Sequence, residues 1–110
     1  MKDRIFKLKS EDFQQLILYK GGCIATDRIT VDGLKVGYMY REIPRNEIDS
    51  GWRFFAGDEN EEYINDLTHS TVYDVNTIVN YDICIIPYLD EPYGTKLARK
   101  ENADDFEIVD

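Results

Sequence analysis

The sequence predicts an α+β fold, a small and mostly antiparallel β-sheet packed with two or three short helices. Three observations carry this. Stretches of alternating apolar and polar residues, rich in Val, Ile, Tyr and Phe, recur along the chain. Short helical patterns lie among them without the regular strand–helix–strand alternation that builds a parallel sheet. The chain has 110 residues, of which 43% are hydrophobic and 13% aromatic, so residues 1–110 make one domain's length, able to bury a core without metal or disulfide staples.

The first helix signal covers residues 10–20. Ser10 is a capping residue, and Glu11 and Asp12 suit the positive end of a helix dipole. Phe13, Leu16 and Ile17 recur at helical spacing, and Gly21-Gly22 ends the pattern. Cys23-Ile24-Ala25-Thr26 is a short strand candidate. Asp32-Gly33 is a turn signal between Ile29-Thr30-Val31 and Leu34-Lys35-Val36. From there the alternation places Leu34, Val36, Tyr38 and Tyr40 on one strand face, and Lys35, Gly37, Met39 and Arg41 on the other. Pro44 stops this strand.

After a polar loop, Gly51 to Gly57 reads as a second strand, antiparallel to the first. Trp52, Phe54 and Ala56 face one way, Arg53 and Phe55 the other, and cross-strand aromatic pairs would stabilise the sheet. Asp58 to Ile64 is an acidic start to a short helix or turn. Thr71-Val72-Tyr73 is a strand candidate, and Asp74 caps a helix over residues 75–81, where Val75, Ile78 and Val79 repeat. Asp82 to Leu89 is apolar and broken at Pro87. Asp90 to Gly94 is a turn, and Thr95 to Lys100 is polar and mixed. The acidic tail, residues 101–110, carries Phe106, Ile108 and Val109 and is either a last edge strand or frayed.

Charge is placed unevenly. Residues 1–50 carry nine Lys/Arg and eight Asp/Glu, whereas residues 51–110 carry four and fourteen, for a net charge of −9. A negative field repels nucleic-acid phosphates and anionic membranes and attracts basic proteins. No apolar run reaches the ~20 residues needed to span a bilayer, and the charged N-terminus lacks the apolar core of a signal peptide. The expected location is the cytoplasm.

No catalytic motif is present. His69, the single histidine, sits in the polar run Asp66-Leu67-Thr68-His69-Ser70, and an acyl-transfer or cysteine enzyme would have to use it. Cys23 and Cys84 lie in apolar settings outside any C-x-x-C motif and read as small buried hydrophobes; a disulfide between them is possible but nothing requires it. No cofactor-binding glycine loop occurs, so no cofactor or metal is expected. Asp58, Glu59, Glu61 and Glu62, with Asp66 nearby, admit three readings: a hard-cation site, a docking surface for a partner's Lys and Arg, or a solvated helix start. Trp52 is either a core residue or an exposed anchor, and Tyr63 is a second possible anchor.

The block Gly51-Trp52-Arg53-Phe54-Phe55-Ala56-Gly57-Asp58-Glu59-Asn60-Glu61-Glu62-Tyr63 resembles the signature of the bacterial DUF2185 family, also described as the immunity protein Imm33 domain. The similarity extends back through Gly22 to Asp27 and Val36 to Arg41, and forward through Tyr73 to Ile78 and Ile85 to Asp90, covering residues 20–100. The chain departs from the pattern at Ile83-Cys84 and at Lys96-Leu97. The resemblance implies a protein that binds and masks a cognate toxin domain, and it brings no catalytic residues. The leading expectation is therefore a non-catalytic immunity-type protein. Its basic partner would meet Asp58, Glu59, Glu61, Glu62 and Asp66, with Trp52 and Tyr63 as anchors. The alternative is a stand-alone or regulatory domain with a small-ligand pocket lined by Tyr38, Tyr40, Trp52 and Phe54.

Overall fold

A computed structural model describes residues 5–110; Met1 to Arg4 of the charged N-terminal stretch lie outside the described residues. Among those residues six strands form one sheet in the order β4-β1-β3-β2-β5-β6. They are β1 (Gly22–Thr26), β2 (Tyr38–Arg41), β3 (Asp49–Phe55), β4 (Ser70–Asp74), β5 (Lys96–Arg99) and β6 (Phe106–Ile108). Only β1 and β3 run parallel; the other four pairings are antiparallel. Three short α-helices accompany the sheet: α1 (Asp27–Thr30), α2 (Glu61–Asn65) and α3 (Val75–Tyr81). The expected α+β class is what the structure has.

One sheet face carries the core. Cys23 and Ala25 of β1, Met39 of β2, Trp52 and Phe54 of β3 and Leu97 of β5 meet Val75, Ile78 and Val79 of α3, together with Ile85 and Leu89 of the following 3-10 segment. Burial of each large side chain stabilises the fold by roughly 1.5–3 kcal/mol. Trp52 and Phe54 stack at 6.0 Å, and the Trp52 indole N–H donates to the Leu89 carbonyl at 3.0 Å. Trp52 is 1% exposed, so the exposed-anchor reading of Trp52 gives way to the core reading. Asp74 caps α3 as expected, accepting from the Asn76 amide at 2.8 Å.

Four expectations need correction. Residues 10–20 do not form a helix: only Ser10–Asp12 makes a 3-10 turn. Beyond it the chain runs extended over α3, because two asparagines offer it hydrogen bonds. Asn80 Oδ1 accepts from the Gln14 amide and Asn76 Oδ1 from the Leu16 amide, while both side-chain amides donate to the Gln14 carbonyl. Long-range partners here outweigh a helix too short to persist alone.

The turn signalled at Asp32-Gly33 does not join two strands, since Asp27–Thr30 before it is helical. Gly33, in the left-handed region at φ +79°, ends that helix, and the Leu34 amide returns to the Arg28 carbonyl at 3.1 Å.

The third correction concerns parity. The strand begins at Tyr38 rather than Leu34. Gly37 breaks the alternation, because a Cβ there would overlap the Ala56 carbonyl oxygen. Val36 and Met39 therefore enter the core, while Tyr38 and Tyr40 turn to the other face.

Lastly, the polar segment 95–100 contains strand β5. Its Arg99 is paired with the buried Asp82 and lies 4.7 Å from the Phe106 ring, so an arginine in a segment read as polar and mixed closes the core. The tail takes the edge-strand alternative, β6 pairing with β5.

Candidate functional site

Among the described residues, the second sheet face has no layer of secondary structure across it comparable to α3. Strand register places Val72, Ile24, Arg53 and Tyr40 in one row across β4, β1, β3 and β2. Phe55 and Tyr38 form the next row along β3 and β2. Helix α2 leans over one corner with Ile64, and Leu67 follows it. Val72 is 64% exposed and Leu67 87%, large values for apolar side chains that adjoin one another.

Three adjoining depressions make a trough across this face. One of about 280 Å³ is lined by Tyr38, Tyr40, Phe55, Gly57, Glu59 and Ile64. A second, about 270 Å³, shares Tyr40, Phe55 and Ile64 with it and reaches Leu67, Ile24 and Val72. A third of about 80 Å³ continues from Ile24 and Val72 toward Arg45 and Asp49. The rings give the floor its shape: Tyr40 stacks on Phe55 at 5.8 Å, and Tyr38 lies 5.9 Å from Phe55 and 6.0 Å from Tyr40. Burial, with Glu42 nearby, pushes the Tyr40 hydroxyl pKa up.

Arg53 is the polar element of the floor and is only 3% exposed. Its guanidinium donates to both Asp49 oxygens, at 2.9 and 2.8 Å, to Glu42 at 2.6 Å and to the Trp52 carbonyl at 3.0 Å. Arg53 holds the Asp49 carboxyl well below the usual carboxylate range, helped by the Arg45 and Gly51 amides. The arginine thus fastens the 42–49 loop to the sheet. Gly51, at φ +89°, lets β3 pass the Glu42 carbonyl, where a Cβ would overlap.

The acidic residues divide sharply. The Arg28 guanidinium pairs with Asp58 and holds its carboxyl low. Glu59 accepts from the Thr26 hydroxyl at 2.6 Å and from the Ala56 and Gly57 amides at 2.8 Å each. Asp66 caps the 3-10 turn Leu67–His69, accepting from the Thr68 amide and hydroxyl, which lower its pKa. Elsewhere Asp82 pairs with Arg99, Asp90 with Lys20 at 2.5 Å, and Asp105 with Lys100 at 3.1 Å. Glu61 and Glu62 stand exposed in the first turn of α2, with no partner among the described residues. Eight of the fourteen carboxylates beyond residue 50 thus have internal partners, whereas Glu61, Glu62, Glu91, Glu101, Glu107 and Asp110 have none among the described residues. At the trough stand Glu59, in the wall, and α2, whose Ile64 joins the lining and whose first turn carries Glu61 and Glu62.

Tyr63 is half-buried and stacks on the His69 ring at 4.0 Å. Burial, with Asp27 nearby, raises its hydroxyl pKa. His69 Nδ1 lies 3.0 Å from the Tyr63 carbonyl and Nε2 3.7 Å from Asp66, so this histidine is committed to the α2 turn. Cys23 and Cys84 are free thiols, and burial pushes the Cys23 pKa up. Among the described residues no three His, Cys, Asp or Glu side chains gather as a metal site, and no helix is long and apolar enough to cross a membrane.

The pocket expected from Tyr38, Tyr40, Trp52 and Phe54 does not form, because the two pairs line opposite sides of the sheet. Sequence reasoning missed Phe55, Ile64, Leu67 and Val72. Alternation signalled that Phe55 opposes Trp52, but not which face lies open.

The family model of the immunity protein Imm33 domain matches residues 23–109. The chain belongs to that immunity protein family. Nearly all of the sheet, α2 and the trough fall inside the matched region, whereas the extended segment laid over α3 precedes it. No curated protein and no solved structure matches the chain.

Proposed function

We propose that this Imm33-domain protein is a non-catalytic immunity protein that binds and neutralises a toxin domain in the cytoplasm, using the open sheet face. The observation that supports this best is the trough itself. A chain of an immunity family presents a contiguous aromatic and aliphatic surface on four strands, bordered by unpaired carboxylates. Such a surface supplies desolvated anchor positions at its centre and a polar rim around them. Glu61 and Glu62, with the net charge of −9, favour a basic partner surface and speed its approach. Of the residues expected from the sequence, Glu59 lines this face, and Glu61, Glu62 and Tyr63 belong to α2, whose Ile64 lines it. Asp58 and Asp66 contribute by holding its rim in place.

The alternative is a stand-alone domain holding a small ligand. Its recess would be the 280 Å³ depression, just below the ~300–1,000 Å³ typical of ligand pockets. Continuity of that depression with the rest of the trough favours the larger partner.

Co-expression with a toxin domain encoded beside this gene tests the proposal. Growth should be restored, and the purified pair should associate at a rate that falls with salt. Glu61→Lys combined with Glu62→Lys should slow association and flatten that salt dependence. Rescue that persists unchanged in Leu67→Asp/Val72→Asp, a variant of two exposed side chains on the trough, would remove the open face from the account.

A further inference from the structure

We infer that the recess bounded by Tyr38, Tyr40, Phe55 and Glu59 receives one arginine side chain of the bound protein. This rests on the partner-binding reading and names the chemistry of its central contact. The recess joins two features that select a guanidinium. Three aromatic rings within 6.0 Å of one another present an electron-rich surface, on which a planar, weakly hydrated cation stacks well. Glu59 stands in the wall with its carboxylate fixed by three donors, which leaves acceptor capacity for one more hydrogen bond.

The two arginines beside the recess are used elsewhere. Arg53 below the floor is taken up by Asp49 and Glu42, and Arg28 behind the wall by Asp58 and Asp32. The cation–ring contacts among the described residues involve Trp52, Tyr93 and Phe106 and none of these three rings. Lys96, cross-strand from Tyr40, is exposed and is not part of the lining. The recess therefore combines a cation-accepting floor, an anchored carboxylate and, among the described residues, no cation in its lining. A guanidinium that stacks on Tyr40 and Phe55 can donate to Glu59, an arrangement in which shape and charge agree.

The test needs no toxin. N-acetyl-arginine methylamide is titrated into the isotope-labelled protein, with N-acetyl-citrulline methylamide as the neutral isostere and the lysine analogue as a second cation. The arginine probe should shift the Tyr38, Tyr40 and Phe55 ring signals and the Gly57 amide saturably, with a Kd on the order of millimolar. Citrulline should produce none of these shifts, and lysine should bind more weakly. Glu59→Gln should weaken binding about fivefold. Because that change also touches the Ala56 and Gly57 amides, Tyr40→Leu, which leaves the Glu59 contacts in place, serves as the second variant and should weaken binding similarly. Equal binding of citrulline, shifts confined to other surfaces, or no binding at all would overturn the inference. Each of those results would leave toxin binding by the open face standing, since that reading is judged by co-expression and complex formation.

Discussion

Removing Asp49 should be the most damaging single change to the open face that leaves the apolar core untouched. Asp49→Ala takes both oxygens from the Arg53 guanidinium and an acceptor from the Gly51 amide. The Arg53 and Asp49 side chains are 3% and 9% exposed, so the cation is left in a place water scarcely reaches. Breaking a buried pair by deleting one partner costs about 3–5 kcal/mol. Glu42→Ala removes the third contact, but the Glu42 side chain is 47% exposed and its loss should cost about 1 kcal/mol or less. At roughly 4 °C per kcal/mol for a chain of this size, the two variants should lose about 12–20 °C and about 4 °C of Tm. Replacing the pair by apolar residues, Arg53→Met with Asp49→Leu, should recover much of the Asp49→Ala loss, because no charge is then stranded. Urea titration followed by fluorescence of the single buried tryptophan, Trp52, reads all four proteins through one probe. Loss of less than about 1 kcal/mol in Asp49→Ala, or a loss equal to that of Glu42→Ala, would mean that Arg53 is solvated and the floor differently built.

Three further outcomes follow from the same geometry. Arg53 depresses the folded-state pKa of Asp49, so this stabilisation is complete above the unfolded carboxyl's pKa of about 4 and is lost as pH falls below it; urea midpoints at pH 6 and pH 3 should differ less in Asp49→Asn than in the wild type. Asn76→Ala with Asn80→Ala should free the extended N-terminal segment at a cost of roughly 1–3 kcal/mol, seen as lost hydrogen-exchange protection at the Gln14 and Leu16 amides while β3 amides keep theirs. Iodoacetamide should modify the half-buried Cys84 well before Cys23, which is 1% exposed with a raised thiol pKa; equal rates in the folded protein would show the core opening at β1.

Local rules made much of this fold legible. The Trp52–Phe55 alternation gave β3 and its two faces, Asp74 announced α3, and the apolar Cys23–Thr26 run gave β1. Three of the four misses share one cause, long-range partners that sequence spacing does not reveal; the fourth, at Ile29–Val31, is a local helix stopped at Gly33. Phe13, Leu16 and Ile17 have helical spacing, yet Asn76 and Asn80, some 60 residues away, hold their backbone out of a helix. Arg99 looks like surface until Asp82 is brought to it. Gly37 shifts the alternation by one residue because β3 passes too close for a side chain, which sends Met39 inward and both tyrosines outward. The candidate site was half visible for the same reason. Glu59, Glu61 and Glu62 stood out by charge, but the pairing of Asp58 with Arg28 depends on α1 lying against the 57–60 loop. The aromatic floor depends on which face of the sheet α3 happens to cover.

The most direct measurement is hydrogen exchange of the protein alone and in complex with its cognate toxin domain, read peptide by peptide. Slower exchange should concentrate on β2, the second half of β3, and α2 through β4, with little change in α3 or the extended segment before β1. A footprint on α3 and that N-terminal segment, with the Tyr38–Arg41 and Arg53–Phe55 peptides unaffected, would contradict the account.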